Sequence, residues 1–163
     1  ASAAAFNFDA QSGGNSTLIS GASTADSGAV IKFSNVTGTT IPGVSIDAVV
    51  TTTLSGSTIA NYDNKGSASS NADYFQVNTA VTSAKGFASF KFDFYEGGTY
   101  SGPNTGIPIV LRNVSVTSID LDGNGYFQFT DFTGFQSYVL GSPSNLVIKK
   151  NADDSSIPLG TTR

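Results

Sequence analysis

An antiparallel all-β fold, arranged as a β-sandwich or jelly-roll-like body in a single domain over residues 1–163, is predicted by three observations. Apolar and polar residues alternate with period two in several runs. These runs are short, and stretches rich in Gly, Asn, Asp, Ser, Thr and Pro separate them. No stretch carries a convincing amphipathic helical stripe. A chain of this length buries enough surface for one core without covalent staples, and the absence of an internal repeat argues against a solenoid.

The first candidate strand is 6–8, where Phe6 and Phe8 flank Asn7. The second is 30–36. In 44–54 the positions Val44, Ile46, Ala48, Val50 and Leu54 would line one face, and Ser45, Asp47, Thr51 and Thr53 the other. Residues 74–82 follow. The surest strand is 87–94, with Phe90, Phe92 and Phe94 inward and Lys91 and Asp93 outward, built from residues that suit a pleated surface. The remaining candidates are 107–119, 126–132, 137–140 and 146–149. Turns are expected at 11–14, 37–43, 63–71, 97–106 and 141–144. The segment 61–71, NYDNKGSASSN, reads as a long solvated loop free of core residues. A helix over 131–140 is a second reading, since Phe132, Phe135 and Val139 fall at helical spacing, although Gly134 argues against it.

Composition narrows the function. Charged residues make up 12% of the chain, about half the usual share, and the chain contains no Cys, Met, Trp or His. Thiolate nucleophiles, disulfides, Cys/His zinc sites and the side chain that most often moves protons near neutral pH are therefore missing, which argues against an enzyme. A net charge of −4 with only eight basic residues does not suit a groove that tracks phosphates, so nucleic acid is not an expected partner. No apolar run approaches the roughly 18 residues that would suggest a membrane-spanning helix. Cysteine-poor chains rich in Thr, Ser, Gly and Asn have the look of exported bacterial proteins, so a secreted or cell-surface location is expected. Without a methionine, Ala1 is not a translation start, and the chain is expected to be a processed or excised portion of something longer.

One stretch carries metal chemistry. Residues 120–131, DLDGNGYFQFTD, place Asp120, Asp122 and Asn124 at loop positions one, three and five, glycine at six and Asp131 at twelve. A hard cation wants six to eight oxygens, and a tight glycine turn lets those three side chains converge, with the Tyr126 carbonyl and Asp131 closing the shell and Gln128 contributing through a water. The loop is therefore a candidate calcium site with ligands Asp120, Asp122, Asn124, Tyr126 and Asp131. Asp at the last position, where a longer Glu is commoner, and strand-like flanks depart from the usual pattern. A plain hairpin turn at 120–125 is the competing reading, because Asp, Asn and Gly are favoured there in any case.

Weaker features complete the inventory. Asp93 and Glu96 are a conceivable carboxylate pair for glycoside hydrolysis, but nothing fixes their separation. Asp47 is expected to be a solvated carboxylate, with a second calcium ligand as the alternative. Tyr62, Tyr74, Tyr95, Tyr100 and Tyr126 are candidates for a sugar-stacking platform, or ordinary amphipathic aromatics at sheet edges. Sequons at Asn15, Asn35 and Asn113 matter only in a source that glycosylates them.

The order AVIKFSNV (29–36), GVSIDAVVT (43–51), FASFKFDF (87–94), IPIVLRNVSVTSIDLDG (107–123) and FTGFQSYVL (132–140) resembles a β-rich module of large secreted and surface-anchored bacterial proteins, including repeat-containing adhesins. The resemblance spans roughly residues 29–140. It implies a β-sandwich, a turn at Asp120 and Asp122 that carries calcium, and no catalytic residues to transfer. Leu121 stands where that pattern has Ile, and the Gly-Asn-Gly insertion makes the turn look more like a complete ion loop.

The reading that follows is a non-enzymatic extracellular module, structural or adhesive, and a candidate subunit of a filament or surface layer assembled by strand addition and stabilised by calcium. Residues 1–10 would be the exchanged or edge strand, adding to a neighbouring subunit's open edge. The alternative is a calcium-dependent carbohydrate- or ligand-binding module of a large adhesin, with surface glycans or other extracellular ligands as partners.

Overall fold

The computed structural model describes residues 5–38, 41–63, 74–112, 114–116, 130 and 133–134. The chain divides into two compact units, Ala1–Arg112 and Asn113–Arg163. Among the described residues the fold is all-β, with no helix. The strands are β1 (Ser16–Ser20), β2 (Val30–Phe33), β3 (Ile46–Ser55), β4 (Ser57–Asn61), β5 (Asn78–Val81) and β6 (Phe87–Glu96). They form a four-stranded sheet in the order β1-β2-β3-β6 and a two-stranded sheet of β4 and β5. Every pairing is antiparallel.

The centre of the larger sheet is the ladder between β3 and β6, which runs without a shift from Ile46 opposite Glu96 to Ser55 opposite Phe87. Its register follows from the two alternating patterns. Ala48 faces Phe94, Val50 faces Phe92 and Thr52 faces Phe90. A slip of one residue would turn all of these toward the opposite face. On the other side of β3, Phe33 and Ile31 of β2 pair with Ala48 and Val50, so β2, β3 and β6 feed one apolar surface. Ile31, Phe33, Val36, Ile46, Ala48 and Val50 are buried there. Ile59 of β4 and Tyr62, just beyond it, belong to the same buried cluster. Phe75 fills its middle, meeting Phe90 and Phe92 edge-on with ring centroids 5.2 and 5.0 Å apart, the arrangement that the ring quadrupoles favour.

β3 leads into β4 through Gly56, which sits at φ 52°. Only glycine suits this corner, because a Cβ would run into Ser83 and Gly86. The Gly56 carbonyl accepts the N–H groups of Thr82 (2.8 Å) and Ser83 (3.2 Å), which ties the chain after β5 back to the corner.

Strands 44–54 and 87–94 are observed nearly as expected, as β3 and β6. The candidate 30–36 shortens to β2, because the chain turns at 34–38, and 74–82 shortens to β5. Three expectations need correction. Residues 6–8 form no strand; they lie extended across the core face, where Phe8 meets Phe33 (5.2 Å) and Phe6 meets Phe94 (5.8 Å). Of 107–119, the described part makes a single bridge, Pro108 with Tyr95, flanked by the Glu96 N–H donating to the Ile107 carbonyl and the Ile109 N–H donating to the Phe94 carbonyl, both at 2.9 Å. Proline suits this outer position, where no ladder donor is required. Finally, 61–71 is not free of core residues, because Tyr62 and Asp63 are buried. The candidates 137–140 and 146–149, all of 126–132 except residue 130, and most of 131–140 lie outside the described residues.

Candidate functional site

Among the described residues of the unit Ala1–Arg112, Thr37, Asp47 and Asp63 are buried polar groups near turns, and Thr52 is buried within β3. Asp47 lies on the face of β3 opposite the core, yet is only 2% exposed, which corrects the expectation of a solvated carboxylate. Turns at 34–38 and 97–99 fold over it. The Asn35 N–H donates to Asp47 Oδ1 and the Gly98 N–H donates to Oδ2, each at 2.9 Å. Both turns need left-handed residues, with φ 48° at Asn35 and 78° at Gly98. An ionised acceptor forms stronger bonds to backbone N–H groups than a neutral one does, so the carboxylate fixes both turns at once. The first turn is further closed by the Val36 N–H donating to the Ile46 carbonyl (2.7 Å) and by the Thr37 hydroxyl donating to the Val44 carbonyl (2.7 Å).

A second cluster holds the segment that precedes β1. Asn15 accepts the Asp9 N–H at Oδ1 (3.0 Å), and its Nδ2 donates to the carbonyls of Asn7 (3.0 Å) and Ser34 (2.9 Å). Asp63 Oδ2 accepts the Ala10 N–H at 2.9 Å, across 53 positions of sequence. The other oxygen, Asp63 Oδ1, is buried without a hydrogen-bond partner, as is Asn7 Oδ1. In the core, the Tyr62 hydroxyl and Thr52 Oγ1 neighbour each other without either completing a well-formed hydrogen bond. Burial pushes the Tyr62 phenol up to about 12, and the adjacent Thr52 hydroxyl opposes the shift.

On the face of the sheet opposite the core, Tyr95 and Tyr100 pack with centroids 4.7 Å apart and planes tilted by 41°. The Lys32 ammonium donates to the Tyr100 carbonyl at 3.2 Å. Lys91 and Asp93 form an exposed ion pair at 2.9 Å, which raises the Lys91 ammonium. Burial raises the Tyr100 phenol, with the charges of Tyr95 and Asp93 adding to the effect.

The site residues expected from sequence are dispersed. Asp93 and Glu96 stand an odd number of residues apart on β6 and so point to opposite faces; the carboxylate-pair geometry is not formed. The four described tyrosines of that set form no shared platform: Tyr62 packs in the core against Phe90, Tyr95 and Tyr100 lie on the other face, and Tyr74 is exposed. The sequon side chain of Asn15 is spent on its turn, and Thr37 of the Asn35 sequon is buried. Asn113 and the calcium-loop residues Asp120, Asp122, Asn124, Tyr126, Gln128 and Asp131 lie outside the described residues. Among the described residues no three Asp or Glu side chains converge as a metal-binding group, and no helix is long and apolar enough to cross a membrane.

The holding roles of Asn15, Asp47 and Asp63 were not anticipated from sequence. A signal for one existed. Asp47 interrupts the apolar run Ile46-Asp47-Ala48-Val49-Val50, and a lone carboxylate inside such a run is enclosed more often than one in a polar stretch. Two open hollows share Gly43, Val44 and Ser45; one is completed by Ile41 and Pro42, the other by Ile46, Glu96, Gly97 and Ile109. No family model, curated protein or solved structure matches this chain.

Proposed function

We propose that this chain is a non-enzymatic structural or adhesive module of a bacterial extracellular surface, self-associating by strand addition and stabilised by calcium. The supporting observation is how Asp47 is used. A buried carboxylate, the kind of group that an active site would turn toward a substrate, here has both oxygens engaged by backbone N–H groups of two turns. Asn15 and one oxygen of Asp63 are likewise engaged in holding backbone. Buried polarity spent on shape suits a module that bears load or presents a surface. The sparsely charged, Ser/Thr/Gly-rich composition and the sequence resemblance to adhesin modules point in the same direction.

Electron microscopy of the native material tests the assembly. Filaments or ordered arrays are the expected outcome, and isolated particles at all concentrations would overturn it. Binding to a glycan array that disappears on chelation would favour a ligand-binding module instead.

A further inference from the structure

We infer that residues 5–10 are an exchangeable plug, and that the aromatic seat it occupies on its own sheet also accepts the same segment from a second copy of this chain. The inference rests on the self-associating reading above and changes its mode: the segment seats on a sheet face rather than lengthening an edge.

The plug is held mainly by its rings. Phe8 meets Phe33 at 5.2 Å and both Phe75 and Phe92 at 5.8 Å, and Phe6 meets Phe94 at 5.8 Å. The seat is prebuilt, because Phe75, Phe90 and Phe92 hold one another independently of the plug. Against this apolar contact, among the described residues the segment makes one main-chain-to-main-chain bond beyond its own turn, from the Asn7 N–H to the Val36 carbonyl at 2.8 Å. Its other anchors run through the side chains of Asn15 and Asp63. Asn7 Oδ1 and Asp63 Oδ1 remain buried and unpartnered at the same place. A segment that is held by rings and side-chain anchors instead of a strand ladder, with polar atoms buried unpaired, belongs to the low-stability end of a structure and opens first.

The tether is the turn 11–14, closed by the Gly14 N–H on the Gln11 carbonyl at 2.9 Å and the Asn15 N–H on the Asp9 carbonyl at 3.0 Å. Gly13, at φ 84° with open space around its α-carbon, lets this turn straighten without a side chain to clear. Once it straightens, the plug leaves its own seat and a copy's plug fills it with identical contacts, which is the economy of segment exchange between identical chains.

A cysteine-free chain allows a direct test. Cysteines are introduced by Ala10→Cys and Asp63→Cys, positions joined by the anchor described above, and are bridged with a short bismaleimide at increasing protein concentration. Covalent dimers and higher species on a denaturing gel, rising with concentration, are expected. Gly13→Ala, which strains the closed turn at φ 84° but leaves Phe6, Phe8 and the seat intact, is expected to lower the concentration for half-dimerisation about tenfold, because the left-handed strain is relieved only when the turn straightens. This second arm is read by light scattering on the folded chain and needs no cysteine. Bridging confined to single chains at every concentration, with Gly13→Ala equally monomeric, would overturn the exchange. If filaments still form in that case, assembly stands and uses another surface; if none form, both readings fail.

Discussion

Asp47 and Asn35 are joined across twelve positions by a 2.9 Å bond from a left-handed backbone N–H to a buried carboxylate oxygen. That bond and its partner at Gly98 make the loss of Asp47 costly to the fold. Asp47→Ala leaves two enclosed N–H groups unpaired and is expected to destabilise by about 3–5 kcal/mol. Asp47→Asn keeps an acceptor for only one of them and should lose about 2 kcal/mol. Urea titration checks both, since the midpoint should fall while the slope is unchanged. A loss within error of zero for Asp47→Ala would remove the stapling role.

Two phenylalanines make a contrasting pair. Phe8→Ala empties a position ringed by Phe33, Phe75 and Phe92 and is expected to destabilise by about 3 kcal/mol. Phe87 is 43% exposed at the far end of β6, and Phe87→Ala should change stability by less than about 1 kcal/mol. Equal effects would contradict the placement of the plug over the core.

Tyr62 implies a defined alkaline window. Its phenol is raised from 10.0 to about 12 by burial, so the folded chain holds the proton where the unfolded chain releases it. That stabilisation is fully present below pH 10 and is lost as the pH climbs through about 12. The loss across the window is about 2 kcal/mol. Tyr62→Phe should flatten that part of the profile and leave stability at neutral pH unchanged or slightly raised, because it removes a buried hydroxyl that lacks a good partner. Denaturant melts at intervals from pH 9 to pH 12 provide the comparison; an identical alkaline decline in Tyr62→Phe would assign it elsewhere.

Calcium is expected to raise the melting midpoint, with chelator reversing the rise, since a ligand of the folded state at a hundredfold over its dissociation constant adds about 2.7 kcal/mol. Asp120→Ala and Asp122→Ala should each abolish most of the increment. A midpoint indifferent to calcium in the unaltered chain would eliminate the ion loop.

The long, strongly alternating strands were legible because every second residue repeats the same choice: Ile46, Ala48 and Val50 on β3, and Phe90, Phe92 and Phe94 on β6, dictate both the buried face and the register. β1 and β4 were missed. Each is five residues of mostly Ser, Thr, Asn and Ala with a bulge and one or two apolar residues, a composition indistinguishable from a turn until a neighbour offers it a ladder. Asp63 and Asn15 escaped for a related reason. Their partners, Ala10 in one case and Asn7 and Ser34 in the other, are set by how distant segments come together, and nothing local in YDN or GGN announces it.

The pairing of β3 with β6 also shapes how the chain reaches this state. Ser55 and Phe87 are adjacent in space, with the whole of 56–86 lying between them, so the central ladder cannot begin until a sizeable stretch of backbone has doubled back. That search is a kinetic burden on forming the central ladder, because closure entropy is lost before the non-local contacts offset it. It is also a tolerance: doubling the length of a flexible connection adds only about 0.6 kcal/mol of closure entropy, so insertions in this span that spare β4, β5, Tyr62, Asp63 and Phe75 are expected to leave the native ladder in place.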